Sequence, residues 1–176
     1  SVDPGGPPAP VIRSEGRTYP VETRWRKTPI PAGEWIEPHV VRVVLHALEE
    51  DEGDVLVFLP GAAEIRRTAQ RLGEGRLPAG TAVHQLFGAL PRDAQDRAIA
   101  PSRAGERKVV LATAIAETSL TIEGVRVVID GGRMRVPRFS PRTGLSRLVT
   151  VPVTADSAEQ RRGRAGRLGP GVCYRL

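Results

Sequence analysis

The segment Gln160-Arg161-Arg162-Gly163-Arg164-Ala165-Gly166-Arg167 puts four arginines within eight residues, with no acid among them. A guanidinium is a planar fork that pairs bidentately with phosphate, so an ordered arginine cluster is suited to clamping a phosphorylated ligand. Thr154, Asp156 or Ser157 would cap a short helix leading into it. One helical turn would then carry Arg164 and Arg167, three residues apart, to a common face. The small Gly163, Ala165 and Gly166 admit a close surface, and Gln160 could orient a water for attack on the phosphate. As composition, an arginine- and glycine-rich stretch is a weak signal for RNA binding. The ordered pattern Q-R-x-G-R-x-G-R followed by Gly169-Pro170-Gly171 is far more specific.

A second informative stretch runs from Lys108 to Gly132. A strand ends at Thr113, after which Thr118, Ser119 and Thr121 supply hydroxyls on a turn. Such groups suit sugar and phosphate contacts that hold a strand without reading its bases, and equally suit local satisfaction of the backbone. Charge is unevenly distributed along the chain. Residues 1–132 hold 16 basic and 18 acidic residues, a net −2, whereas residues 133–176 hold 10 basic and 2 acidic, a net +8. Of the 26 basic residues only Lys27 and Lys108 are lysine, and the excess in the last quarter, all arginine, reads as a polyanion footprint or as a solvated basic face.

These groups need a scaffold. Asp54-VLVFL-Pro60 and Lys108–Thr113 are short apolar runs bounded by turn formers, as expected of strands buried on both faces of a parallel sheet. Strands at 81–87 and 125–130 extend the series. Between them, apolar periodicity marks helices at Glu34–Glu50, Gly61–Leu72 and Pro91–Ile99. Strands alternating with helices predict an open, mostly parallel α/β sheet. Ligand sites in such sheets lie beyond the carboxyl ends of the strands, here Pro60-Gly61, Thr113–Ser119 and Asp130–Gly132. Tyr19–Trp25 is a further strand candidate with Trp25 in the core, and Val11-Ile12 a minor one. The acidic run Glu49–Asp54 is expected to be a solvated loop. Met134–Phe139 and Leu145–Val151, joined by Ser140–Gly144, predict a β-hairpin carrying Arg133, Arg135, Arg138, Arg142 and Arg147. Such an arm suits guiding a nucleic-acid strand, or is an edge hairpin protected from aggregation by charge.

At 176 residues the chain suits one domain, 11–176, after a Pro- and Gly-rich linker at 1–10. It carries no apolar run of membrane-spanning length and no disorder-like composition. The single cysteine, Cys173, excludes an internal disulfide and suggests a reducing, cytoplasmic setting. His39, His46 and His84 complete no ligand set, so no metal site is expected. Seven aromatic residues in all leave little for base stacking, so nucleic-acid contact should be mainly electrostatic. The first residue, Ser1, suggests a piece of a longer protein.

Together these stretches resemble the second RecA-like domain of a DEAH-box RNA helicase of superfamily 2, closest to the bacterial HrpB type. VLVFLPGAAEI at 55–65 is similar to helicase motif IV, ATAIAETSLTIEG at 112–124 to motif V and QRRGRAGRLGPG at 160–171 to motif VI. The early GRTYPVE at 16–22 and the hairpin between motifs V and VI fit the same family. The resemblance implies a RecA-like α/β fold and catalytic roles for three residues: Arg164 and Arg167 as arginine fingers on the γ-phosphate of ATP, and Gln160 positioning the attacking water. It implies RNA-backbone contacts at Thr113, Thr118 and Ser119, with Arg135, Arg138 and Arg142 on the hairpin. Ser119 would couple nucleotide state to RNA grip. Glu123 would lie near the nucleotide ribose and Ile99 where relatives carry an adenine-stacking aromatic. Two departures matter: Ala114 replaces the usual Asn, and Ile99 offers no ring. There is no G-x-x-x-x-G-K-[ST], and Asp51-Glu52 is followed by Gly-Asp. ATP and Mg²⁺ would therefore be held mainly by an N-terminal RecA-like domain in cis, with further C-terminal domains expected. The isolated chain would be inactive. RNA, single-stranded or duplex with an overhang, is the implied partner, and no membrane is involved. A non-catalytic RNA-binding module on the same scaffold is the alternative.

Overall fold

The computed structural model describes residues 18–176. Six strands form a parallel sheet: β1 (Val21–Trp25), β2 (Asp54–Phe58), β3 (Thr81–Leu86), β4 (Arg107–Ala112), β5 (Val125–Asp130) and β8 (Gly171–Arg175), ordered β1-β8-β5-β2-β4-β3. The expected parallel α/β architecture is thus present. The β6 (Arg133–Ser140) and β7 (Leu145–Pro152) strands pair antiparallel as a separate hairpin, with Arg138 directly opposite Arg147.

All five residues of β2 are buried, and their alternation sorts the core onto two faces. Val55, Val57 and Leu59 point to one side, where α1 (Glu37–Glu50) and α2 (Ala62–Glu74) cover them with Val40, Val44, Ile65 and Leu72. Leu56 and Phe58 point to the other, with Val110, Val128, Ala165 and Cys173. This second face is covered by shorter pieces: α3 (Arg92–Ile99), the four-residue α4 (Ile115–Thr118), α5 (Ala155–Gly163) and a 3₁₀ turn at Arg164–Gly166.

Three expectations need correction. Trp25 is 68% exposed rather than core, because β1 is an edge strand; the guanidinium of Arg175 lies over its ring, 5.1 Å from the centroid. The acidic run is not uniformly solvated. Asp54 is buried at the start of β2, accepting from Ser102 Oγ and the Lys108 amide, and Asp51 accepts from Tyr174 Oη and Arg24. The helix expected from Glu34 begins at Glu37, leaving Trp35 exposed. The β8 strand, which no local pattern predicts, is inserted between β1 and β5. Its first residue must be glycine, since a Cβ on Gly171 would collide with the Ala165 carbonyl. Val11-Ile12 and the first two residues of the early GRTYPVE segment, Gly16 and Arg17, lie outside the described residues; its Val21 and Glu22 open β1.

Candidate nucleotide and nucleic-acid interface

The arginine-rich segment begins where Thr154 Oγ1 accepts the Ser157 amide at 3.2 Å, an N-cap, and it tightens from α5 into the 3₁₀ turn after Gly163. Its side chains divide sharply. Gln160, Gly163 and Arg167 are exposed, a stripe at helical spacing, while Arg161 and Arg164 turn inward. Arg164 is only 5% exposed: Nε donates to the Glu117 carbonyl and Nη1 to the Leu120 carbonyl, each at 2.7 Å, and Nη2 also reaches Glu117 O. A helix of only four residues leaves its last carbonyls without intrahelical partners, and Arg164 takes up that of Glu117 together with that of Leu120 just beyond the helix. The structure therefore brings Arg164 and Arg167 to one turn but gives them different surroundings. Burial, with the charge of Arg167 added, holds the Arg164 guanidinium below the ordinary arginine range. Arg167 has no ion pair among the described residues.

Arg161, passed over in the sequence, is fully buried. It pairs with Glu117 at 2.7 Å and Asp130 at 2.8 Å and lies over the Phe58 ring. Arg162 ties α5 to β1 through Thr23 Oγ1 and the Val21 carbonyl. The visible signal for Asp130 is a charge that directly follows the apolar run Val127–Ile129.

Thr113 is half-buried just beyond the end of β4, and Thr118 and Ser119 are exposed at the end of α4, on the expected carboxyl edge. From there the chain crosses back over the sheet face to Gly124, whose carbonyl accepts the Asp54 amide at the opposite edge. Glu123 is exposed there. Ile99 lies near that same edge, since the adjoining Ala100 carbonyl accepts Lys108 Nζ and Ser102 reaches Asp54; it packs on the second core cluster. Segment 113–124 thus joins two edges of the domain.

The hairpin arginines also divide. Arg135 pairs with Glu64 at 2.7 Å and lies against Gly61, where a side chain would collide with its guanidinium; it docks the hairpin on α2. Arg138, Arg142 and Arg147 are exposed and free of ion pairs among the described residues, beside exposed Phe139, Leu145 and Leu148. Two arginines directly opposite across a hairpin repel one another, a cost that a bound polyanion would relieve. Among the described residues no cluster of His, Cys, Asp and Glu is arranged to hold a metal, and no helix is long and apolar enough to cross a membrane.

Residues 38–169 match the helicase conserved C-terminal domain family. The chain is 48% identical over 170 residues to the ATP-dependent RNA helicase HrpB of Escherichia coli (strain K12), covering 97% of this chain and 21% of that protein. It is 41% identical to the pre-mRNA-splicing factor ATP-dependent RNA helicase prp22 of Schizosaccharomyces pombe, covering 95% and 15% respectively. Among solved structures, that of the E. coli DExH-box NTPase HrpB superposes with a TM-score of 0.84 at 47% identity, over 92% of this chain and 20% of the other. The chain therefore spans about a fifth or less of the length of these relatives.

Proposed function

The chain belongs to the helicase conserved C-terminal domain family, in its DEAH-box branch, and from that premise we propose that it is the second RecA-like domain of a cytoplasmic ATP-dependent RNA helicase. The observation that carries this reading is the exposed stripe of Gln160 and Arg167 on the thinly covered sheet face, offered to a ligand from outside the domain. An arginine without a carboxylate partner suits an incoming phosphate. The lack of a G-x-x-x-x-G-K-[ST] phosphate loop in residues 1–176 supports a half-site rather than a complete one. ATP with Mg²⁺, held mainly by an N-terminal RecA-like domain in cis, supplies the phosphoryl group transferred to water. Gln160 orients that water, and Arg167 offsets the charge that develops on the transferred group. Arg164 reaches the phosphate only by giving up the Glu117 and Leu120 carbonyls, so its engagement loosens the turn that bears Thr118 and Ser119. Glu123, at the same edge of the sheet as Ile99, faces the ribose end. RNA lies along Thr113, Thr118 and Ser119 and against Arg138, Arg142 and Arg147, while Arg135 serves the hairpin's attachment.

The test is hydrolysis by the complete protein, with and without single-stranded RNA. RNA should stimulate hydrolysis, and residues 1–176 alone should be inactive. RNA binding without hydrolysis by the complete protein would transfer the assignment to a non-catalytic RNA-binding module. Affinity for single-stranded RNA should fall steeply with salt, by roughly 0.7 log units per log unit of salt for each phosphate that the protein neutralises. The Arg138→Ala, Arg142→Ala double variant should flatten that slope by about 1.4, because two phosphates then keep their counterions. An unchanged slope would remove the hairpin from the RNA path.

A further inference from the structure

One buried side chain joins the three segments that the proposed cycle must move together. Arg161 donates from Nε to Glu117 Oε1, and from Nη1 to Asp130 Oδ1 and, at 3.2 Å, to the Arg133 carbonyl. Glu117 immediately precedes Thr118 and Ser119 and also accepts from Ser157 Oγ of α5. Asp130 ends β5, and its Oδ1 accepts the amide of Gly132 at the root of the hairpin. Arg133 is the first residue of the hairpin. Arg161 itself follows Gln160 in the finger helix. The strand-contact turn, the hairpin root and the finger helix thus meet at one guanidinium.

Stability alone gives little reason for this choice. Removing an arginine and two carboxylates from water carries a desolvation cost that apolar side chains of similar volume avoid. What such a network provides is a fixed relative orientation, because each hydrogen bond constrains direction as well as distance. Its pairing is also incomplete. Arg161 Nη2 and Asp130 Oδ2 are buried without protein partners. Turning the fork to pair bidentately with Asp130 would satisfy both and release Glu117, so a second arrangement lies close at hand.

Building on the helicase reading above, we propose that Arg161 is a positioning residue that couples the strand-contact turn and the hairpin root to the alignment of Gln160 and Arg167. RNA occupying Thr118 and Ser119 is transmitted through Glu117 and Arg161 to the finger helix. The test uses the complete protein carrying Arg161→Lys, Glu117→Gln, or both. Lysine keeps the charge but not the rigid fork whose Nε and Nη1 reach Glu117 and Asp130 in fixed directions, and glutamine keeps the shape of Glu117 should the lysine variant fold poorly. With oligouridine as the RNA, kcat is measured with and without it, together with KM for ATP and the melting temperature. Each single variant should lower the ratio of RNA-stimulated to basal kcat by about tenfold, as expected of a coupling of ordinary size, with KM for ATP unchanged. The double variant should be no worse than the singles, because both break one link. A ratio preserved in both singles, or stimulated and basal rates falling in equal proportion, would overturn the assignment and leave Arg161 a structural residue. A wild-type protein that RNA does not stimulate would instead overturn the helicase reading beneath it.

Discussion

Arg167→Ala in the complete protein should lower RNA-stimulated ATP hydrolysis by about 10³-fold or more while ATP binding stays within a few-fold of wild type. The magnitude is that of an arginine finger, which acts on charge developing in the transition state and contributes little in the ground state. The structure makes the substitution clean. Arg167 is exposed, without an ion pair among the described residues, so truncating it removes no support from the fold and should change stability by no more than about 0.5 kcal/mol. Arg164→Ala is not clean in this sense, because it also strips the Glu117 and Leu120 carbonyls of their donors. Its loss of rate should come with a looser turn at 115–120 and weaker RNA binding. Arg167→Lys, which keeps charge without the planar fork, should recover only part of the rate. Steady-state kinetics beside a direct ATP-binding measurement separates these cases.

The largest effect on stability should come from Asp130→Ala. Asp130 is 1% exposed and pairs with a guanidinium that is itself fully buried. Removing the carboxylate leaves Arg161 with one charged partner, Glu117, which retains some access to solvent. Breaking a buried pair in this way typically costs about 3–5 kcal/mol, because the surviving charge stays desolvated. The amide of Gly132 loses its acceptor too, so the hairpin root should loosen with β5. Hydrogen exchange in the complete protein should show the loss first at the amides of β5 and of residues 131–134. Protection unchanged there would mean that the ion pair holds nothing in place.

Most of the scaffold was legible because it rests on local pattern. Val55–Leu59, Val109–Ala112 and Val127–Ile129 are apolar runs too short for helices, and the amphipathic stretches between them must cover the sheet. The hairpin was readable from its turn and its β-prone flanks. The β8 strand was not: Gly171–Arg175 is five residues of mixed character after a Gly-Pro-Gly, and only its pairing with both β1 and β5 makes it a strand. Trp25 was misplaced because no local rule separates the covered and open faces of an edge strand. The site was legible in residue type and only partly in role. Spacing put Arg164 and Arg167 on one turn, but the carbonyls that draw Arg164 inward come from a segment more than 40 residues away, as does the Glu64 that takes up Arg135. Glu123 falls at the amino edge because segment 113–124 crosses the sheet face, and Ile99 because α3 ends there just before β4, which the rule of carboxyl-end sites does not anticipate. Arg161 was overlooked since burial, not sequence position, distinguishes it from its exposed neighbours.

In the proposed mechanism this domain adds transition-state charge stabilisation to a site completed by another domain. That role is tested by the affinity of the complete protein, with single-stranded RNA present, for ADP with aluminium fluoride and Mg²⁺, compared with its affinity for ATP. Wild type should bind the transition-state analogue at least about 10²-fold more tightly than ATP, as enzymes do when binding is concentrated on the transition state. Arg167→Ala should lose most of that preference and keep its affinity for ATP. Equal affinity of wild type and Arg167→Ala for the analogue would contradict the mechanism and remove Arg167 from the catalytic site.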